Sequence, residues 1–196
     1  MSSANATSRR SGARAPSDVT TVRASRRLRA ACTGVACAWV ALILLAPRWA
    51  SQAETGVTDG RSTIAALVRL AGARVCHQRP ERSFHLYGRS LPVCGRCTGL
   101  YVAGAAGLLL VGIGRQPRVA PASAGMPAWW PAGIDRRAGA LVAAAVPTAL
   151  TWGLEWAGVW QPGTPMRAIA ALPLGLTAGW LVGRALSQPD ESLLVH

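Results

Sequence analysis

Apolar residues in this chain gather into long uncharged runs, separated by short arginine-bearing segments, which is the pattern of a helical membrane protein. Residues 30–47 carry no charge between Arg29 and Arg48. At a helical rise of about 1.5 Å such a run reaches roughly 27 Å, enough to cross a bilayer core. The pattern predicts a first transmembrane helix over residues 30–50, with Trp39 on a packed face and Trp49 as an interfacial anchor. Further spans are expected over about 98–114, 138–160 and 167–186. Gly99, Gly104 and Gly107 in the second span are spaced so that another helix can approach closely. Between the first two spans, Ile64, Leu67, Val68, Ala71 and Val75 recur at helical spacing, but Arg69 and Arg74 interrupt them. A charge at mid-bilayer costs at least about 2.5 kcal/mol, so residues 62–78 read as an amphipathic helix at the interface. The expected fold class is all-α: an integral membrane bundle of about four transmembrane helices, plus one amphipathic helix and a polar Cys/His loop.

Composition agrees. Of 196 residues, 51% are hydrophobic and 15% charged, against about 25% charged in ordinary soluble domains. Every basic side chain is arginine and the net charge is +13, a balance that raises nucleic acid as a partner. The arginines flank apolar runs instead of forming one basic face, so the lipid bilayer, not nucleic acid, is the expected partner. Residues 1–29, rich in Ser, Ala and Arg, read as a disordered basic tail, and 187–196 as a short polar tail. Ser51-Gln52-Ala53 resembles a signal-peptidase site, but an uncleaved signal anchor suits the long basic start better. With four spans and a cytoplasmic N-terminus in a multi-pass protein of the cell membrane, twelve arginines fall inside and nine outside.

Candidate chemistry sits between the amphipathic helix and the second span. Residues 76–97 hold Cys76-His77 and, further on, the C-x-x-C knuckle Cys94-Gly95-Arg96-Cys97. Two thiols three positions apart can converge on one cation or close into a disulfide across a tight turn. Cys76 and His77 bring the soft ligands to three or four, the set that zinc prefers. Adjacent side chains point apart, which counts against Cys76 and His77 both reaching one ion. Three thiolates, one imidazole and a divalent cation carry one net negative charge, which Arg79, Arg82 and Arg96 would balance; alternatively these arginines bind an anionic lipid or a small anionic ligand. Cys32 and Cys37 lie in the first apolar run and read as small packing residues. Glu155 is the one acid within an expected span, either interfacial or paired with Arg167 at the next helix start. The chain has no Walker loop, dinucleotide-binding glycine motif, HExxH or GxSxG.

Cys76-His77-Gln78, Glu81-Arg82-Ser83-Phe84, Gly88, Pro92, Cys94, Arg96-Cys97-Thr98-Gly99 and Tyr101 resemble the signature of a predicted bacterial membrane protein family, domain of unknown function 2085. The resemblance covers about residues 60–185, within an expected membrane domain at 62–186. It implies a small helical membrane protein with a cysteine–histidine loop and supplies no reaction. In a second signature that the resemblance implies, Pro147, Gly158, Arg167 and Gly175 fit, whereas Thr151 stands in place of an acid and Glu155 in place of a glutamine. The leading expectation is a membrane protein, not an enzyme, holding zinc through Cys76, His77, Cys94 and Cys97 at a filled structural site. The alternatives are a thiol–disulfide oxidoreductase using the C-x-x-C pair, and a small transporter or anionic-lipid-binding protein using Glu155 and Arg167.

Overall fold

The computed structural model describes residues 16–53, 60–114 and 136–187. They form helices α1 (Pro16–Ala53), α2 (Gly60–Ala73), α3 (Gly95–Gly112), α4 (Arg136–Trp156) and α5 (Thr164–Ala185), with a two-stranded hairpin, β1 (His85–Leu86) and β2 (Arg89–Ser90), between α2 and α3. The all-α membrane class is what the chain adopts: α1, α3, α4 and α5 each contain a stretch long and apolar enough to cross a membrane. The shorter α2 is the expected additional helix.

Two helix limits differ from expectation. α1 begins at Pro16, so residues 16–29, expected within a disordered tail, are helical. Proline's fixed φ suits the first helical position, and no glycine or second proline follows before Arg29. Residues 1–15 and 188–196 lie outside the described residues. α4 ends at Trp156, short of the expected Trp160, because Gly158 turns the chain at φ 70°. Val159 N–H donates to the Leu154 carbonyl at 3.1 Å and Gly158 N–H to that of Glu155 at 3.1 Å. That pair of bonds is the Schellman termination, with glycine at the left-handed position.

The closest helix pair is α3 with α5, joined through glycines. A Cβ on Gly99 would strike the Ala168 backbone, one on Gly107 the backbone of Leu176 and Trp180, and one on Gly179 the backbone of Gly104. Lipid tails are as apolar as leucine, so helices in a bilayer associate through such close backbone approach instead of hydrophobic burial. The large side chains point outward: Leu109, Val142, Leu150, Ile169 and Val182 are exposed on the helix surfaces, where lipid would cover them. On the other flank, Ile43 and Ala46 of α1 and Ala65 and Val68 of α2 pack around Leu91 and Val93. α2 turns Ala65, Val68 and Gly72 inward and leaves Ile64, Leu67 and Leu70 exposed.

Arg29, where the uncharged run of α1 begins, donates to Ser187 Oγ just past α5, at 2.8 Å. That contact marks one end of the bundle. The C-terminus of α4 and the N-termini of α3 and α5 lie together at the other, as the Glu155 contacts described below require.

Candidate metal centre

The loop between α2 and α3 is fastened at both ends before any thiol is placed. Leu91 and Val93 are 1% and 0% exposed, so the Leu-Pro-Val segment is anchored in the core immediately before Cys94. Gly72 lets α2 lie against this segment, since a Cβ there would stand 2.5 Å from the Pro92 carbonyl oxygen. Gln78, at the unusual φ of 50°, donates its side-chain amide to the carbonyls of Arg69 (2.6 Å) and Pro92 (2.7 Å). Arg69 donates in turn to the Ser90 carbonyl at 3.1 Å. The hairpin closes at Tyr87 and Gly88, both at positive φ (54° and 75°), which matches the right-handed strand twist of two-residue turns. These bonds hold the Cys76 strand of the loop beside the start of α3.

Cys94 caps α3 and Cys97 stands in its first turn. The sulfurs of Cys76, Cys94 and Cys97 all lie within 4.8 Å of one another, and all three thiols are free. Tetrahedral coordination with bonds of about 2.3 Å places sulfurs roughly 3.8 Å apart, so a small closure would seat an ion. The Cys94 backbone N–H donates to Cys76 Sγ at 3.1 Å and fixes that sulfur beside the start of α3. Accepting a hydrogen bond from the Cys97 thiol lowers the Cys94 thiol from its usual value of 9.0 to about 5, against the opposing effect of burial; the Cys97 and Arg96 backbone and the Cys76 thiol add to the lowering. The donor set of three converging soft sulfurs fits zinc and other thiophilic ions.

His77, expected as the fourth ligand, is not in this sulfur group. It lines a neighbouring cavity of about 280 Å³, together with Cys76, Cys94 and Cys97. The two adjacent side chains diverge: Cys76 is half-buried toward the other sulfurs, whereas His77 is exposed. Cys32 and Cys37 also stand apart from the sulfur group, half-buried on α1.

The same cavity is lined by Arg79, Arg82, Arg96, Arg167, Glu155, Trp152 and Trp156. Glu155, 8% exposed, accepts from three arginines on three separate elements: Arg96 at 2.8 Å, Arg82 at 2.9 Å and Arg167 at 3.1 Å. Arg82 and Arg96, expected to balance thiolates, bind this carboxylate. Glu155 lies in the last turn of α4, where the helix dipole disfavours an anion, so the guanidiniums offset both burial and dipole. Gly95 allows the arrangement: a Cβ there would meet the Thr164 carbonyl oxygen at 2.6 Å, so the glycine lets the starts of α3 and α5 touch. Glu155 thus pairs with Arg167, as one of its two readings expected, within a buried ion cluster at the end of α4. Gln78 was not visible as a site residue from spacing, and Arg82 and Arg96, named beside the thiols, were not seen to meet Glu155 and Arg167, because these partners are distant in sequence.

Comparison with known proteins agrees with this architecture. The family model described as a predicted membrane protein, domain of unknown function 2085, matches residues 76–181, more than half of the chain, and the chain belongs to that family. An uncharacterized protein of Methanocaldococcus jannaschii is 34% identical over 68 residues, covering 35% of this chain and 42% of the relative. An uncharacterized protein of Methanothermobacter thermautotrophicus is 54% identical over 28 residues, covering 14% of this chain and 25% of the relative. The chain thus spans less than half the length of these curated relatives. Both are archaeal, so the resemblance is not confined to bacteria. No solved structure matches.

Proposed function

We propose that this multi-pass membrane protein holds one zinc ion on the thiolates of Cys76, Cys94 and Cys97, at one end of its helix bundle. The observation that carries the reading is the mutual approach of three free sulfurs from two separate segments within 4.8 Å. With three protein ligands, a tetrahedral ion keeps a fourth position, which His77, water or a small molecule in the adjoining cavity would take. This departs from a filled structural site and makes the bound ion accessible. When bound, zinc supplies Lewis acidity and a fixed positive centre. The protein's own part is to orient the Cys76 sulfur through the Cys94 N–H and to hold the loop through Gln78. In the cell membrane, with the start of α1 cytoplasmic, the centre would face outward.

Elemental analysis of detergent-purified protein tests the assignment. About one zinc per chain, lost in the Cys94→Ser/Cys97→Ser variant, is expected; metal-free protein after expression in zinc-replete medium contradicts it.

A second reading rests on a separate observation, the acidic Cys94 thiol at a helix N-terminus. Cys94 and Cys97 would be oxidised together to a disulfide, giving two electrons and two protons to a membrane quinone, with Cys76 as resolving thiol. Metal-free protein whose Cys94–Cys97 bond cycles with a quinone would favour this reading over the first.

A further inference from the structure

The cavity beside the sulfurs carries more positive charge than its partners neutralise. Four guanidiniums, those of Arg79, Arg82, Arg96 and Arg167, face one carboxylate, Glu155, the sole acid among the lining residues. A zinc ion on three thiolates adds one further net negative charge. Two positive charges then remain uncompensated, as they do in metal-free protein that holds a single thiolate. Solvent does not dissipate all of this excess, because the Arg167 and Arg96 side chains are only 6% and 17% exposed.

Unused hydrogen-bonding capacity points the same way. The Nε atoms of Arg96 and Arg167 are buried without a hydrogen-bond partner. Buried donors are normally satisfied, and Glu155 already engages the Nη2 atoms of both residues. Arginine presents its donors in a planar fork suited to carboxylate and phosphate oxygens. The N-termini of α3 and α5, which start beside the cavity at Gly95 and Thr164, add partial positive charge at the same place. The volume of about 280 Å³ lies just under the usual range of roughly 300–1,000 Å³ for small-ligand sites.

We infer that this cavity is a binding site for a phosphate group, held by Arg96 and Arg167 at its base and by Arg79 and Arg82 nearer its mouth. Two uncompensated positive charges match a phosphate dianion better than a monoanion. Trp152 and Trp156, 59% and 82% exposed, stand at the wall. Tryptophans favour the bilayer–water boundary, so the group could arrive as free phosphate or as a lipid headgroup. The arginine site does not depend on the metal, because its charge excess is no smaller without it.

The experiment uses the full-length protein in detergent and in nanodiscs. Inorganic phosphate is titrated calorimetrically in one arm, and phosphatidic acid against a phosphatidylcholine background in the other. Saturable binding of one phosphate group per chain is expected in at least one arm. Binding of inorganic phosphate identifies a soluble ligand, whereas binding of phosphatidic acid alone identifies a headgroup. Arg96→Gln should weaken the affinity on the order of tenfold or more. Arg79→Gln should weaken it several-fold, and Arg79 makes none of the Glu155 ion pairs, so this variant keeps the test decisive if Arg96→Gln does not fold. No binding in either arm, or affinity unchanged in both variants, overturns the inference. Phosphate binding retained in folded Cys94→Ser/Cys97→Ser protein supports the site independently of the metal reading. Its loss there would put the anion on the metal and overturn the arginine site.

Discussion

Replacing Glu155 by glutamine tests whether the buried ion cluster ties three helices together. The carboxylate is 6% exposed, and its partners Arg167 and Arg96 are 6% and 17% exposed in their side chains. Removing one member of a buried pair costs about 3–5 kcal/mol, because the remaining charge is left desolvated. Arg82 is 35% exposed at its side chain, so solvent screening reduces its share to about 0–1 kcal/mol. Glutamine keeps one acceptor oxygen but turns an N–H donor toward guanidinium donors. The expected loss is therefore about 3 kcal/mol, at the lower end of the range for a broken buried pair. Equilibrium unfolding in mixed micelles, in phosphate-free buffer, measures it. The Glu155→Gln/Arg167→Gln double variant should be more stable than the sum of the single losses by at least about 1 kcal/mol, since the two groups touch at 3.1 Å. A loss below about 1 kcal/mol for Glu155→Gln, or strict additivity in the double variant, would refute the claim that this cluster holds the ends of α3, α4 and α5.

Other expectations follow from the same geometry. Gly179→Ala drives a methyl group into the Gly104 backbone and should destabilise the α3–α5 pair by about 1–3 kcal/mol, whereas Gly153→Ala, with nothing within 4 Å, should be neutral or stabilising by up to about 1 kcal/mol; unfolding measurements on both check the contrast. Gln78→Ala removes the hydrogen bonds to Arg69 and Pro92 and should lower zinc affinity by roughly 10–100-fold, read by chelator competition. In metal-free protein, Cys94 should react with iodoacetamide with a midpoint near pH 5, below the free-thiol value of 9.0. A depressed thiol pKa contributes stability that is complete above the unfolded value and disappears as pH falls through the folded one, so metal-free protein should become more stable as pH rises from about 5 to 9. Alkylation that stays negligible until pH 8 would contradict this account of Cys94.

Local spacing carried most of the fold. The uncharged run before Arg48 and the glycines at 99, 104 and 107 announce spans and a close helix contact, since both signals lie within one helix. The three cysteines were legible as one set for a similar reason: soft ligands are scarce and these three cluster between apolar runs. His77 was not separable from Cys76 by sequence alone, because neighbours in a chain share an address but not a direction. The Glu155 cluster was only partly legible. Arg167 follows Glu155 after a short turn, but Arg96 and Arg82 arrive from a different helix and a 3-10 turn, and their meeting depends on Gly95 bringing α3 against α5. The face of α2 was also hidden, since Ala65, Val68 and Gly72 form its packed side while the larger Ile64, Leu67 and Leu70 stay exposed.

X-ray absorption at the zinc edge of the purified, zinc-loaded protein tests the metal assignment most directly. Three sulfur neighbours at about 2.3 Å with one lighter oxygen or nitrogen neighbour are predicted, falling to one sulfur in the Cys94→Ser/Cys97→Ser variant if any zinc is retained. A first shell of nitrogen and oxygen alone, or a spectrum unchanged by that double substitution, would contradict the account.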